Sequence, residues 1–529
     1  VLKLLVLTAL LSAQAAGAQR TPRYDLVITG GTVVDGTGAR RYRADVAIAD
    51  GRIVTISRKP IAPASARRVI DARGRVVSPG FIDLHAHLEP LPELSGARSA
   101  VTQGVTTALG GPDGSSPWPF GPYLAERARQ GIGINVAYLV GHNTVRHAVM
   151  GDANRAPTAD ELARMQGMIA QAMGEGAFGI STGLKYIPGT YSTIDEVVAL
   201  SQLAADSGGI YTSHLREEGL GLLGGVGEAI EIGRRAHIPI VLTHHKAVGR
   251  KMWGKSVVTL RMLDSARRAG TDVMADVYPY TATHTGISVL IPSWALADGD
   301  TAFARRIATP ALKDSITRGI VFNILNDRGG GDLRRVQFSR VSWDKTLEGK
   351  TLADWATRRH LALTPENGAA LVIEAQLAGG ANAIYHVLDE GDVRRIMRHP
   401  MTMIASDGRL SSPGDGHPHP RAYGTFPRVL GRYVREYHVL TLEQAVHKMT
   451  GMPAARLGLG DRGVLREGAA ADLVVFDAAT IVDRATFESP HQYTTGIDYV
   501  LVNGVPAIDR GTFTDSRTGV VLKRTAGKK

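Results

Sequence analysis

Apolar and polar residues alternate with a period of two over residues 24–80, with Gly-containing turns between the runs. Tyr24-Asp25-Leu26-Val27-Ile28-Thr29-Gly30-Gly31 reads as a strand and turn, and Asp45 to Val54 as a hairpin about Asp50-Gly51. The same pattern returns near the other end, at Ala471–Asp477 and Val500–Val505. The middle differs. Apolar runs of strand length recur at Gly80–His85, Gly104–Leu109, Ile134–Val140, Ala177–Thr182, Gly209–His214, Ile238–His244, Val273–Tyr278 and Met401–Ser406. Amphipathic helices fall between several of them. Ala159–Gly174 follows Thr158 and carries Leu162, Met165, Met168 and Ile169 on one face; Ile194–Ser207 and Val226–Ala236 behave likewise. Eight strands alternating with helices predict an α/β chain built on a (β/α)8 TIM barrel. The two β-rich ends predict a small β-sandwich domain assembled from both termini. The gap between the last two runs is too long for one helix and predicts an insertion at about 290–375.

These signals divide the chain into a leader at 1–18, sandwich segments at 19–78 and 455–529, and a barrel at 79–454. The leader is the only long apolar run. Lys3 is its only charge, Leu4–Leu11 forms its core, and Ala16-Gly17-Ala18 offers small residues for cleavage before Gln19. It is short for a membrane span. The expectation is an exported protein, periplasmic or secreted, with no membrane contact after cleavage. The 529 residues include no cysteine, which removes disulfides and thiolate metal ligands. Any metal must be held by His, carboxylates or a modified Lys. The formal charge of +11 is dispersed and has no aromatic stripe beside it, so it does not read as a nucleic-acid surface. Lys523-Arg524 and Lys528-Lys529 read as a solvated basic tail. No phosphate loop is present, and no signal for an oligomeric state.

In a barrel of this kind, reactive residues gather at the C-terminal ends of the strands. His85-Ala86-His87 ends the first run. Lys185 follows the fourth, His214 ends the fifth, His244-His245 the sixth, and Asp407 follows the eighth. Residues two apart on a strand face the same way, so His85 and His87 can reach one ion, and imidazole suits zinc. His214 and His244 read either as core histidines or as ligands; their equivalent positions favour ligands. His245 points to the other side. Asp407 reads either as a helix cap or as the group that moves the proton, since splitting an amide requires deprotonating water and protonating the departing amine.

With these residues in hand, the chain resembles the amidohydrolase superfamily, and within it the N-acyl-D-amino-acid deacylases (the D-aminoacylase family). The resemblance runs from Tyr24 to about Asp509. Its specific stretches include Pro79-Gly80-Phe81-Ile82-Asp83-Leu84-His85-Ala86-His87, Gly141-His142-Asn143-Thr144-Val145-Arg146, Ser181-Thr182-Gly183-Leu184-Lys185-Tyr186, His214-Leu215-Arg216-Glu217-Glu218, Ser406-Asp407-Gly408 and Gly424-Thr425-Phe426-Pro427-Arg428. The resemblance implies metal ligation by His85, His87, His214 and His244. It gives Asp407 the acid/base role and possible ligation. Tyr186, Lys246 and Arg421 match substrate-contact positions, Arg421 holding the substrate carboxylate in a two-pronged hydrogen bond.

One departure stands out. Close relatives carry a cysteine ligand in a Gly-Asn-Cys-Gly stretch; here Gly111-Pro112-Asp113-Gly114 occupies that place. Other amidohydrolases use a carboxylated lysine after the fourth strand, where Lys185 lies. The favoured expectation is therefore two zinc ions bridged by carboxylated Lys185, other divalent metals being possible. The alternatives are a one-metal site using Asp113, or an ordinary surface lysine at Lys185. The expected reaction is hydrolysis of a small N-acyl-D-amino acid with a free carboxylate, by metal-activated hydroxide with Asp407 as general acid/base. The alternatives are dipeptides, N-acyl-L-amino acids or aryl-amide toxins as substrates, or an exported binding protein without catalysis.

Overall fold

The computed structural model describes residues 23–524. The leader reading at 1–18 and the pair Lys528-Lys529 lie outside the described residues. The two β-rich ends meet by direct pairing: Leu473–Phe476 runs antiparallel to Val76–Pro79, joining N- and C-terminal strands into one nine-stranded sheet. The period-two alternation turns Leu26, Ile28, Val46 and Ile48 from one end, and Leu473 and Val475 from the other, into a common core.

The eight barrel strands are Phe81–Asp83, Val105–Gly110, Asn135–Tyr138, Gly179–Gly183, Ile210–His214, Ile240–Leu242, Val273–Val277 and Thr402–Ile404. Neighbours pair in parallel, with registers such as Gly183 opposite His214 and Ser213 opposite Leu242, the third strand meeting the fourth through its continuation Val140–Gly141. The ring closes between its last and first members. Gly408–Arg409 pairs in parallel with Ala86–His87, and the Asp407 N–H donates to the His85 carbonyl at 2.9 Å. Asp83 adds a side-chain tie, accepting from the Ser406 N–H at 2.9 Å and from its hydroxyl. Burial of that carboxyl raises its pKa to about 6.

Outer helices cover the strands as their apolar stripes require. Ala159–Glu175 opens with a capping box of Thr158 and Glu161 and buries Met165, Ile169, Ala172 and Met173. The insertion leaves the barrel after Val273–Val277. It contains a three-stranded antiparallel sheet (Thr283–Gly286, Asn382–Tyr385, Val336–Arg340) and helices including Pro310–Asn326 and Pro365–Leu377. Phe303, Ile320, Phe338 and Trp355 belong to its own core. It thus extends beyond 290–375 on both sides. The two strands outside that range, Thr283–Gly286 and Asn382–Tyr385, are four residues each, too short to show a period.

The reading of Lys523-Arg524 as a solvated tail is corrected for the backbone, while the Lys523 side chain is exposed. Residues 519–524 run along the N-terminal side of the barrel: Val136 N–H donates to Val520 O at 2.9 Å, Leu522 N–H to Val136 O at 2.7 Å, and Arg524 N–H to Gly176 O at 3.1 Å. The backbone hydrogen bonds, invisible in a basic composition, decide the placement. Among the described residues no helix is long and apolar enough to cross a membrane.

Close strand packing fixes the entry to the fourth strand. Gly179 has φ +149°, and a Cβ there would lie 2.0 Å from the Ile210 carbonyl oxygen. Gly179→Ala is expected to cost about 2–4 kcal/mol, read as a lowered urea midpoint. An unchanged midpoint would show that the two strands separate freely at this point.

Candidate metal centre

The strand ends bring six side chains to one place. His85 and His87 come from the first strand and its continuation, His214 from the last position of the fifth, His244 from just beyond the sixth, and Asp407 from just beyond the eighth. Asp113 comes from the turn after the second strand. They form two groups of potential ligands that share one carboxylate: His85, His87, Asp113 and Asp407, and Asp113, His214 and His244.

Most distances among these groups suit ions better than hydrogen bonds, His214 Nδ1 and His244 Nε2 at 2.8 Å being the exception. His85 Nε2 and His244 Nε2 lie 3.4 and 3.3 Å from Asp113 Oδ1, and His214 Nδ1 lies 3.7 Å from it. His87 Nε2 is 3.5 Å from Asp113 Oδ2 and 3.3 Å from Asp407 Oδ1. Two ligands at a tetrahedral zinc, each at the usual bond length, stand about 3.3 Å apart. His85 Nε2 and Asp113 Oδ1 are buried with no hydrogen-bond partner. Orphaned polar atoms of this kind are costly unless something binds them. The donor set of imidazole nitrogens and carboxylate oxygens therefore fits one or two divalent cations.

The electrostatics agree. Burial opposes charge on Asp113, but His85 and His244 hold its carboxyl well below the ordinary range. Burial also opposes charge on Asp407, and Arg421, His244 and His87 outweigh it. Burial brings His214 down to about 4, leaving it neutral. His244 rises to about 9, because Asp113 and Asp407 outweigh burial and Lys246. A proton is drawn to His244 by the same negative potential that would draw a metal cation. Three candidate ligands, Asp113, His244 and Asp407, have left-handed backbones, with φ +54°, +37° and +51°. Such strain in non-glycine residues concentrates at functional sites.

Lys185 is not brought to this assembly. Its Nζ donates to Glu217 Oε1 at 2.8 Å, and the side chain does not line the cavity over the ligands. The structure thus places Lys185 against Glu217 and not at the position expected of a bridging carboxylated lysine; Asp113 is the residue that the two groups have in common. The remaining expected residues do converge. Tyr186 packs its ring 4.5 Å from that of His214. Lys246 Nζ lies 2.6 Å from His244 Nδ1. Arg421 Nη1 donates to Asp407 Oδ2 at 2.6 Å. All three line a cavity of about 400 Å³ over the ligands.

Two important residues carried no separate signal in the sequence. Glu218 was visible only as one member of an acidic pair after His214. It is 1% exposed and lies behind both imidazoles of the second group, with Oε2 3.5 Å from His214 Nε2 and Oε1 3.3 Å from His244 Nδ1. Lys246 donates to Oε1, and Arg328 Nη2 donates to Oε2 at 2.7 Å. Arg328 belongs to the insertion, where no periodicity or motif marks it.

Similarity to known proteins identifies the family. The amidohydrolase family model matches residues 68–310 and 354–508. The chain is 39% identical over 534 residues to the N-acyl-D-glutamate deacylase of Alcaligenes xylosoxydans xylosoxydans, covering 95% of this chain and 97% of the relative. It is 38% identical to the D-aminoacylase of the same organism, covering 95% and 98%. The crystal structure of N-acyl-D-glutamate deacylase from Bordetella bronchiseptica, complexed with zinc and a phosphonate mimic of the tetrahedral intermediate, superposes with a TM-score of 0.81 at 37% identity, over 95% of this chain and 100% of that one. A D-aminoacylase structure described by its binuclear metal centre gives 0.81 at 36%, with the same coverage.

A carboxylate behind two ligating imidazoles fixes their orientation, and loss of such a partner costs about 10- to 100-fold in metal affinity. Glu218→Gln is expected to weaken zinc binding by that factor at the His214–His244 group and to leave the His85–His87 group unchanged. Competition with a chelator, resolved into two sites, measures both. Equal affinities in variant and parent would remove Glu218 from this role.

Proposed function

The chain belongs to the amidohydrolase family, enzymes that hydrolyse amide C–N bonds, and we propose that it removes the acyl group from N-acyl-D-amino acids. The observation that carries this reading is the sharing of Asp113 between two ligand groups beneath a cavity that also presents Arg421 and Lys246. The D preference rests on similarity to the N-acyl-D-glutamate deacylase and the D-aminoacylase. His85, His87 and Asp407 would hold one zinc ion and His214 and His244 a second, with Asp113 between them.

Bound divalent ions supply a lowered pKa for water and polarisation of the amide carbonyl. The protein's own groups then direct the chemistry. Asp407 has Oδ2 fixed by Arg421 and Oδ1 turned toward His85 and His87. From that position Oδ1 takes the proton from water and returns it to the departing nitrogen. Arg421 gives one nitrogen to Asp407 and has others for the substrate carboxylate. It thereby links substrate anchoring to the placement of the acid/base group. Lys246 and Tyr186 bound the same cavity and orient the amide. The apolar stretch Leu4–Leu11 supports export, with the reaction outside the cytoplasm.

Zinc-loaded protein is expected to release amine from N-acetyl-D-amino acids, tested against L enantiomers and dipeptides in one panel. Turnover confined to L-substrates would overturn the D reading. Asp407→Asn is expected to lower kcat by at least about 100-fold with folding intact by circular dichroism. Full activity in that variant would sink the acid/base role. Dialysis against a chelator is expected to abolish turnover, and added zinc to restore it.

A further inference from the structure

A second, larger cavity of about 730 Å³ lies beside the catalytic one. Tyr186 and Ile187 line both. The divide between them is thin: the Thr285 hydroxyl, from the insertion, donates to Tyr186 Oη at 3.2 Å. Leu220, from the loop after the fifth barrel strand, and Trp294 and Phe322, from the insertion, line the second cavity while 44%, 41% and 52% exposed. Large apolar side chains gathered around a concavity mark a binding surface more than scattered ones do. Most charged groups on its wall already have partners: Lys185 with Glu217, Asp152 with His147, and Asp300 with Gln376. Asp327 Oδ1 is buried without a hydrogen-bond partner, and burial raises the pKa of that carboxyl.

We propose that this cavity is an acyl subsite that takes the alkyl tail of a medium- or long-chain N-acyl group whose amide lies over the metal ligands. The inference rests on the deacylase reading above. Direction supports it. Arg421, the carboxylate anchor, pairs with Asp407 in the first ligand group, whereas Tyr186 packs against His214 in the second. A substrate anchored by its carboxylate at Arg421 has its acyl end toward Tyr186 and Ile187, and the cavity behind them is the space into which a longer chain extends. An alkyl chain is favoured over a peptide because the free part of the rim is apolar and the wall charges are largely satisfied within the protein.

The test is a chain-length series of N-acetyl, N-hexanoyl and N-decanoyl derivatives of D-leucine and D-glutamate, measured as kcat/KM on the zinc enzyme. The expected result is a rise of about two- to four-fold per added methylene until the cavity is filled. Trp294→Ala and Phe322→Ala, both surface positions, are expected to flatten that rise and leave the N-acetyl rates unchanged. Decanoate is expected to quench tryptophan fluorescence saturably in the parent and not in Trp294→Phe. This binding arm stands even if no acyl amino acid is hydrolysed, an outcome that would overturn the deacylase reading by itself. Rates that are flat or fall with chain length, with no decanoate binding, would overturn the subsite. So would a preference for aminoacyl-D-leucine dipeptides over alkanoyl substrates of equal length, which would make the cavity a peptide site using Asp327. A dimer in solution that protects Trp294 from an aqueous quencher would make the apolar rim an interface between copies of the chain.

Discussion

A single desolvated carboxylate holds the centre together. Asp113 is 7% exposed, and its oxygens face His85, His214 and His244 on one side and His87 on the other. An ionised carboxyl removed from water needs nearby positive charge or hydrogen bonds in return. Here the nearest groups are imidazoles at ligand-to-ligand spacing, so cations between them would complete the arrangement. A carboxylate brings one negative charge and two oxygens. A lysine carbamate would bring the same charge and the same number of oxygens.

The barrel bears the cost of presenting these groups. The shared carboxylate, His244 and Asp407 all sit in left-handed backbone conformations just past strand ends. Such turns persist because the surroundings over-determine them. Around His244 this is visible in detail: Asp276 accepts from the His244 N–H at 2.6 Å, and the His245 N–H donates to the Asp276 carbonyl at 2.7 Å. Around Asp407, the ring closure to His85 and the Asp83–Ser406 tie do the same. The fold's closure and the ligand geometry are therefore one set of hydrogen bonds.

The insertion takes part in the site. Through Arg328 it reaches Glu218, and through Glu218 the far nitrogens of His214 and His244. Two buried cations, Lys246 and Arg328, share this one anion, and Lys246, His214 and His244 hold the Glu218 carboxyl well below its ordinary range despite burial. The same insertion supplies Thr285, Trp294 and Phe322 to the divide and rim beside the catalytic cavity. One element thus orients ligands and shapes the space beyond them.

The sequence by itself determined the eight-strand alternation, the β-rich ends, and the positions of His85, His87, His214, His244 and Asp407. Each of these is a local signal: a period, or a polar residue closing an apolar run. The sequence also placed Tyr186, Lys246 and Arg421 near the chemistry by resemblance. Only the tertiary structure places Asp113 among the candidate ligands and Lys185 against Glu217. Both follow strands, and a linear chain does not reveal that one turn bends inward at φ +54° while the other side chain reaches Glu217. Arg328 and the docking of residues 519–524 were likewise decided in three dimensions. Their partners, Glu218, Ile132, Val136 and Gly176, are far away in the chain, and neither a charge count nor a period encodes which distant group a side chain or backbone N–H will meet.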